Sequence, residues 1–149
     1  MTGAFPARNA PVMLSGVFFP RRSLKRRERC IREFVAAINA GRHERMAHYL
    51  TEDFAYVDVS GHRTNSREEF LRMDREFRQA AGNPHIQIDT LDHHGDEVLV
   101  RGQLTGGAQE VRGQTFWRIS FDGDRIRRAD VTRADGRITM PVFASRTKV

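Results

Sequence analysis

The chain of 149 residues is 39% hydrophobic and 30% charged, which is typical of a soluble protein with one globular domain. It has no apolar run of the ~18 residues that a membrane-spanning helix needs, so we expect no membrane span. The single cysteine, Cys30, excludes an intramolecular disulfide and a thiolate metal site. The composition therefore predicts a cytoplasmic protein, and no residue pattern indicates a cofactor.

The formal net charge of +6 lies entirely in the N-terminal segment. Residues 1–29 carry seven basic side chains and one acid, whereas the rest of the chain carries equal numbers of both. Because nucleic-acid-binding domains usually carry basic charge on their folded surface, we expect no nucleic-acid partner. We interpret residues 1–27 as a basic flexible leader. The alternative is an arm that packs on a neighbouring subunit or over a pocket mouth.

The first predicted helix follows this leader. Ile31, Phe34, Val35 and Ile38 recur at helical spacing, and Gly41 supplies the left-handed residue that helix ends favour. A short second helix is predicted over about residues 42–50. The pattern therefore predicts two helices before the first strand of the domain.

A third helix has the clearest start signal in the chain. Ser66 and Glu69 form a capping box, and residues 82–84, Gly-Asn-Pro, end the helix. Its predicted buried face consists of three residues: Phe70, Met73 and Phe77.

The other segments alternate in polarity and predict strands. One strand, residues 54–59, lies between the second and third helices. Residues 85–94 and 97–105 form one predicted hairpin, and residues 109–121 and 125–133 form another. Both hairpins turn on the Gly and Asp residues that tight turns favour.

This element order predicts an α+β fold over residues 28–136. We expect a cone-shaped domain in which three N-terminal helices pack on a curved, mostly antiparallel sheet, followed by a C-terminal tail at residues 137–149. Alternation assigns the apolar side chains of the late strands to the helix side of the sheet. The mixed residues on its back predict a homodimer interface: Arg101, Gln103, Arg118 and Ser120.

The arrangement resembles the nuclear-transport-factor-2-like superfamily, in its SnoaL-like and ketosteroid-isomerase-like branch. Four segments carry the resemblance: residues 34–41, 50–54, 66–70 and 121–126. It implies a pocket for a small apolar molecule. In ketosteroid isomerases a carboxylate after the second helix abstracts a proton, and Asp58 falls at that place. Phe34 and Trp117 occupy the oxyanion positions and cannot donate to an enolate there, so the resemblance does not imply steroid isomerisation by that mechanism.

Asp58 is the candidate general base. It shares a strand face with Phe54 and Tyr56, so it should point inward, lose hydration and have a raised pKa. Tyr56 would supply a hydroxyl to a substrate oxygen. The alternative is that Asp58 caps the turn at Ser60 and that Tyr56 belongs to the core.

The predicted ligand-binding residues are apolar or aromatic: Phe34, Ile38, Phe70, Val100, Trp117 and Ile119. His93 and His94 lie beside a hairpin turn and point to opposite faces, so we predict no metal site there. Three functions remain open. The protein is an isomerase, cyclase or dehydratase without a cofactor, a non-catalytic ligand-binding protein, or a dimerisation or accessory module.

Overall fold

The computed structural model describes residues 11–14, 17–134, 139–140 and 142–143. In this part of the chain there are three α-helices and eight strands. Their bounds are β1 Pro11–Leu14, β2 Val17–Pro20, α1 Arg21–Asn39, α2 His43–Ala47, β3 Leu50–Asp58, β4 Arg63–Thr64, α3 Arg67–Ala81, β5 His85–His94, β6 Glu97–Thr105, β7 Gly113–Asp122 and β8 Arg125–Arg133.

Six strands form the main sheet in the order β4-β3-β8-β7-β6-β5. Only the pairing of β3 with β8 is parallel; the other neighbours are antiparallel. The predicted α+β class with a mostly antiparallel sheet is therefore confirmed. The strands β1 and β2 pair with each other in a separate two-stranded sheet.

Both ends of α3 have the capping interactions that the sequence predicts. The Ser66 hydroxyl accepts a hydrogen bond from the backbone N–H of Glu69 at 3.1 Å, and Gly82 ends the helix with φ of 76°. The carboxylate of Glu69 reaches back to the N–H of Asn65 at 3.0 Å. Side chain and backbone thus satisfy donors that the first turn of a helix leaves unpaired.

The first helix begins earlier than its apolar spacing predicts. It starts at Arg21, directly after β2, and Leu24 is already buried. The basic residues from Arg21 onward therefore lie on a helix that packs on the domain. The division of the chain at residue 27 stays a prediction, and residues 1–10 lie outside the described residues.

The alternation of the late strands sorts their side chains as predicted. Val98, Val100, Leu104 and Ile119 are buried against the helices. On the opposite side, which we call the outer face, Leu99 and Arg101 are exposed. A homodimer formed through this outer face remains a prediction from the sequence.

The segment after residue 136 is predicted to be a loose tail, but its described residues pack on the domain. Thr139 and Phe143 are buried, and the Phe143 ring meets the Phe77 ring edge to face with centroids 5.6 Å apart. The contact between Phe143 and Phe77 on α3 removes apolar area of both rings from water.

Candidate functional site

A cavity of about 70 Å³ lies between α1, α3 and the inner face of the sheet. This space is about half of the ~150 Å³ that binds benzene in an engineered apolar cavity, so a ring-shaped ligand enters only when side chains of the wall move apart. Its wall is mostly apolar. All six residues predicted to bind a ligand line it: Phe34, Ile38, Phe70, Val100, Trp117 and Ile119.

Tyr56 and Trp117 form a hydrogen-bonded pair in this wall. The indole Nε1–H of Trp117 donates to the hydroxyl oxygen of Tyr56 at 3.1 Å. Within the described residues, nothing accepts the hydroxyl proton of Tyr56. Burial raises the pKa of Tyr56 above its ordinary value of 10, so the hydroxyl stays protonated. It is therefore a donor that a bound molecule can use.

Gly102 makes room for the Trp117 ring. A β-carbon at Gly102 would collide with the carbonyl oxygen of Gln87 and would lie 3.2 Å from the ring of Trp117. On β5 the register shifts between Ile88 and Thr90, next to this close approach. The strand β6 thus needs a residue without a side chain at this position.

The helix α3 contributes a buried ion pair to the same cavity. Asp74 is 2% exposed, and its Oδ2 accepts a hydrogen bond from Nε of Arg78 at 3.2 Å. Arg78 also donates to the carbonyl oxygen of Pro84 at 2.7 Å and to Asn83 at 3.2 Å. Asp74 therefore orients an arginine that holds the connection from α3 to β5.

Burial and the neighbouring cations act in opposite directions on the charge of Asp74. Burial outweighs the attraction of Arg78 and His43 and holds the pKa of Asp74 above its ordinary value of 3.8. Nε2 of His43 lies 3.3 Å from Oδ2 of Asp74, although outside hydrogen-bond geometry, so this contact is an ion pair only when His43 is protonated. The other oxygen, Oδ1, has no hydrogen-bond partner among the described residues.

A second polar group lies at the adjoining ends of β7 and β8. Thr115 and Arg133 face each other in the strand register, and both line the cavity. Arg133 is 6% exposed and donates to the carbonyl oxygens of Val111 and Arg112 at 2.8 and 2.9 Å. This arginine ties the loop before β7 to the sheet.

Asp58 points inward as predicted, but its surroundings differ from those of a general base. Its Oδ1 accepts hydrogen bonds from the N–H and hydroxyl of Ser60 and the N–H of His62, at 2.7–3.0 Å. Its Oδ2 accepts one from the hydroxyl of Thr139 at 2.6 Å. Burial favours the neutral form, but these bonds outweigh it and lower the pKa of Asp58 below 3.8. The expected rise in its pKa is therefore wrong.

Asp58 also does not line the cavity, whereas Tyr56 on the same strand does. The hydrogen bonds to Ser60 and His62 close the turn between β3 and β4, which matches the alternative role as a turn cap. The structure thus brings the predicted ligand-binding residues and Tyr56 together and places Asp58 beside them, at a turn.

Asp74 and Arg78 are the site residues that the sequence interpretation missed. Their positions share the buried face of α3 with Phe70 and Phe77, whereas Met73 is only half buried. An acid and a base four residues apart on an apolar helix face would have indicated a buried ion pair.

The described residues contain no group of three or more side chains that could hold a metal ion. Among their helices, none has the length and apolar character of a membrane-spanning segment.

Comparison with known proteins gives a family match. The family model described as "SnoaL-like domain" matches residues 31–129. None of the curated proteins compared with the chain matches it significantly.

Several solved structures share the fold. A ketosteroid isomerase-like protein from Catenulispora acidiphila, solved with trimethylamine, has a TM-score of 0.65 at 16% identity, covering 80% of this chain and 97% of its own. A putative SnoaL-like polyketide cyclase from Jannaschia sp. has a TM-score of 0.65 at 11% identity, covering 74% and 86%. A de novo designed protein with a curved β-sheet reaches 0.68 at 11% identity, covering 83% and 98%. The resemblance predicted from the sequence is confirmed for the fold, and identities this low carry no activity across.

Proposed function

Because the chain belongs to the SnoaL-like domain family, we propose that it binds a small, mostly apolar molecule with one oxygen acceptor in the cavity beneath α1 and α3. The observation that carries this proposal is the Tyr56 hydroxyl, whose proton no described residue accepts, in a mostly apolar wall. The hydroxyl oxygen of Tyr56 accepts a hydrogen bond from Trp117, so the hydroxyl proton of Tyr56 can be donated to a ligand. An apolar pocket with few polar groups is the usual form of a small-molecule site.

The Tyr56 hydroxyl is the donor, and its chemistry indicates which kind of ligand oxygen would accept its proton. A ketone or aldehyde carbonyl accepts a hydrogen bond and offers no proton that would compete with the Trp117 N–H. The donation from Trp117 also polarises the Tyr56 O–H bond and strengthens it as a donor. We therefore expect a small cyclic ketone to bind more tightly than a hydrocarbon of the same size.

Ligand binding can be followed directly because Trp117 is the only tryptophan of the chain and lies in the cavity wall. Titration with cyclohexanone should change its fluorescence at a lower concentration than titration with methylcyclohexane. Tyr56→Phe should weaken cyclohexanone binding about two- to tenfold, the value of one neutral hydrogen bond, and leave methylcyclohexane binding unchanged.

Tyr49→Phe is the matched control. Tyr49 is the other tyrosine of the chain, is half buried and does not line the cavity. Equal affinity for the two compounds, or an equal loss in both variants, would contradict the role of Tyr56. Absence of any saturable binding would contradict the binding function itself.

A second candidate function is proton transfer to or from the bound molecule, and Asp74 favours it. This carboxyl group lines the cavity, its Oδ1 is not bonded to any described residue, and its raised pKa brings it closer to neutral pH, where a general base works best. With Tyr56 holding the carbonyl oxygen, Asp74 would remove a proton from the neighbouring carbon. The protein would then be a cofactor-free acid–base enzyme.

Exchange of the α-hydrogens of cyclohexanone in deuterated water tests this second function. Mass spectrometry should show exchange above the background rate with the wild-type protein, and Asp74→Asn should reduce it about a hundredfold or more. Asp58→Asn serves as the control and should retain the exchange rate, because Asp58 does not line the cavity. Loss of exchange in the Asp58 variant alone would assign the base to Asp58 instead.

A further inference from the structure

The exposed face of α1 carries a row of basic side chains. Five exposed residues, each three or four positions from another of the set, form what we call the basic stripe: Arg22, Lys25, Arg26, Arg29 and Arg32. At 1.5 Å per residue the stripe is about 15 Å long. Spacing of this kind places all five on one side of the helix.

Contacts on the other side of α1 fix the direction in which the stripe points. Leu24 and Ile31 are buried. The guanidinium of Arg27 lies 5.1 Å from the Phe121 ring centroid and donates to the carbonyl oxygen of Asp96 at 3.0 Å, and Glu28 lies 3.0 Å from His93. The helix is therefore held with its basic stripe toward solvent.

Few acids neutralise the stripe. Arg26 lies 3.2 Å from Asp124, an exposed pair that contributes little and that salt screens, and Glu33 is exposed on the same side of α1. Among the described residues, Lys25, Arg29 and Arg32 have no acid within 4.0 Å. The stripe is thus a patch of excess positive charge on a domain whose remaining sequence is formally neutral.

An apolar sequence adjoins this patch. The strands β1 and β2 consist of Pro-Val-Met-Leu and Val-Phe-Phe-Pro, form their own hairpin, and join α1 without a linker. A hairpin of apolar sequence beside a row of arginines combines the two signals that hold a protein on a membrane surface, apolar insertion and attraction to anionic headgroups. Nucleic acid would use the charge alone.

We propose that the basic stripe and the β1–β2 hairpin together dock the protein on an anionic phospholipid bilayer. The charge of the stripe faces lipid phosphates and carboxylates, and the apolar hairpin sequence enters the headgroup boundary.

Sedimentation of the full chain with vesicles tests the proposal. We expect binding to phosphatidylcholine vesicles containing about 30% phosphatidylserine, little binding to pure phosphatidylcholine, and release as salt shortens the screening length. The variant Arg22→Gln/Lys25→Gln/Arg29→Gln should bind the anionic vesicles about a hundredfold more weakly, given the usual contribution of each basic residue near such a surface. Phe18→Ser/Phe19→Ser should also weaken this binding.

The control removes the same charge from another surface. Arg63, Arg72 and Arg75 are exposed on β4 and α3, and Arg63→Gln/Arg72→Gln/Arg75→Gln should bind the vesicles nearly as the wild type does. Equal loss in both triple variants, equal binding to neutral vesicles, or no vesicle binding would overturn the proposal. Binding of the wild type to a DNA duplex without binding to vesicles would assign the stripe to nucleic acid.

Discussion

Replacing Asp74 by alanine is expected to lower the free energy of unfolding by about 3–5 kcal/mol, the usual cost of removing one partner of a buried ion pair. The change leaves the Arg78 guanidinium buried without its carboxylate, 3.2 Å from where Oδ2 had been. It also frees Arg78 to move away from the carbonyl oxygen of Pro84, so the connection from α3 to β5 loses its clamp. Urea unfolding followed by Trp117 fluorescence measures the effect.

Arg75→Ala provides the reference for this measurement. Arg75 lies next to Asp74 on α3 but is exposed, so its loss should change the free energy of unfolding by less than about 0.5 kcal/mol. An Asp74→Ala protein within about 1 kcal/mol of the wild type would show that the pair is not a structural element. Asp74→Asn should cost less than Asp74→Ala, because the amide oxygen still accepts from Arg78, which makes it the better variant for the exchange experiment.

Replacing Asp58 by asparagine is expected to cost about 1.5–3 kcal/mol at neutral pH, since hydrogen bonds to a charged acceptor are lost. The amide of asparagine keeps one acceptor oxygen and places N–H groups against the donors of Ser60 or Thr139. Thermal unfolding at pH 7 measures the loss. Asp53→Asn, an exposed acid on the same strand β3, should have little effect.

The pH dependence of this difference identifies its cause. A carboxyl whose pKa is lower in the folded state stabilises the fold above its unfolded pKa of about 3.9, and this stabilisation disappears as pH falls through the lower folded pKa. The gap between the wild type and Asp58→Asn should therefore be full near pH 7 and should narrow below about pH 4. A gap that stays constant down to pH 2 would show that the charge of Asp58 does not stabilise the turn.

The local features of the fold follow from short stretches of sequence. The capping box at Ser66 and the glycine at residue 82 set the ends of α3, and the Gly and Asp turns set β5, β6 and β8 at the predicted residues. These signals depend on neighbours within about four positions, and their physical causes are hydrogen bonding of helix ends and the backbone freedom of glycine. The inward faces of the strands were predictable for the same reason, since alternation is local.

Only the tertiary structure decided the contacts and the pKa shifts of the two carboxylates, Asp58 and Asp74. Alternation turns Asp58 inward, but its pKa depends on the Thr139 hydroxyl, 81 positions away, and on the turn that it closes. The place of Asp74 in the cavity wall likewise depends on α1 and the sheet, which lie far from it in sequence. Sequence alone determined the family fold and the aromatic lining, because both rest on patterns of apolar residues. A carboxyl pKa instead depends on donors and burial brought together across the whole chain, so the opposite pKa shifts of Asp58 and Asp74 are not predictable from their sequence neighbours.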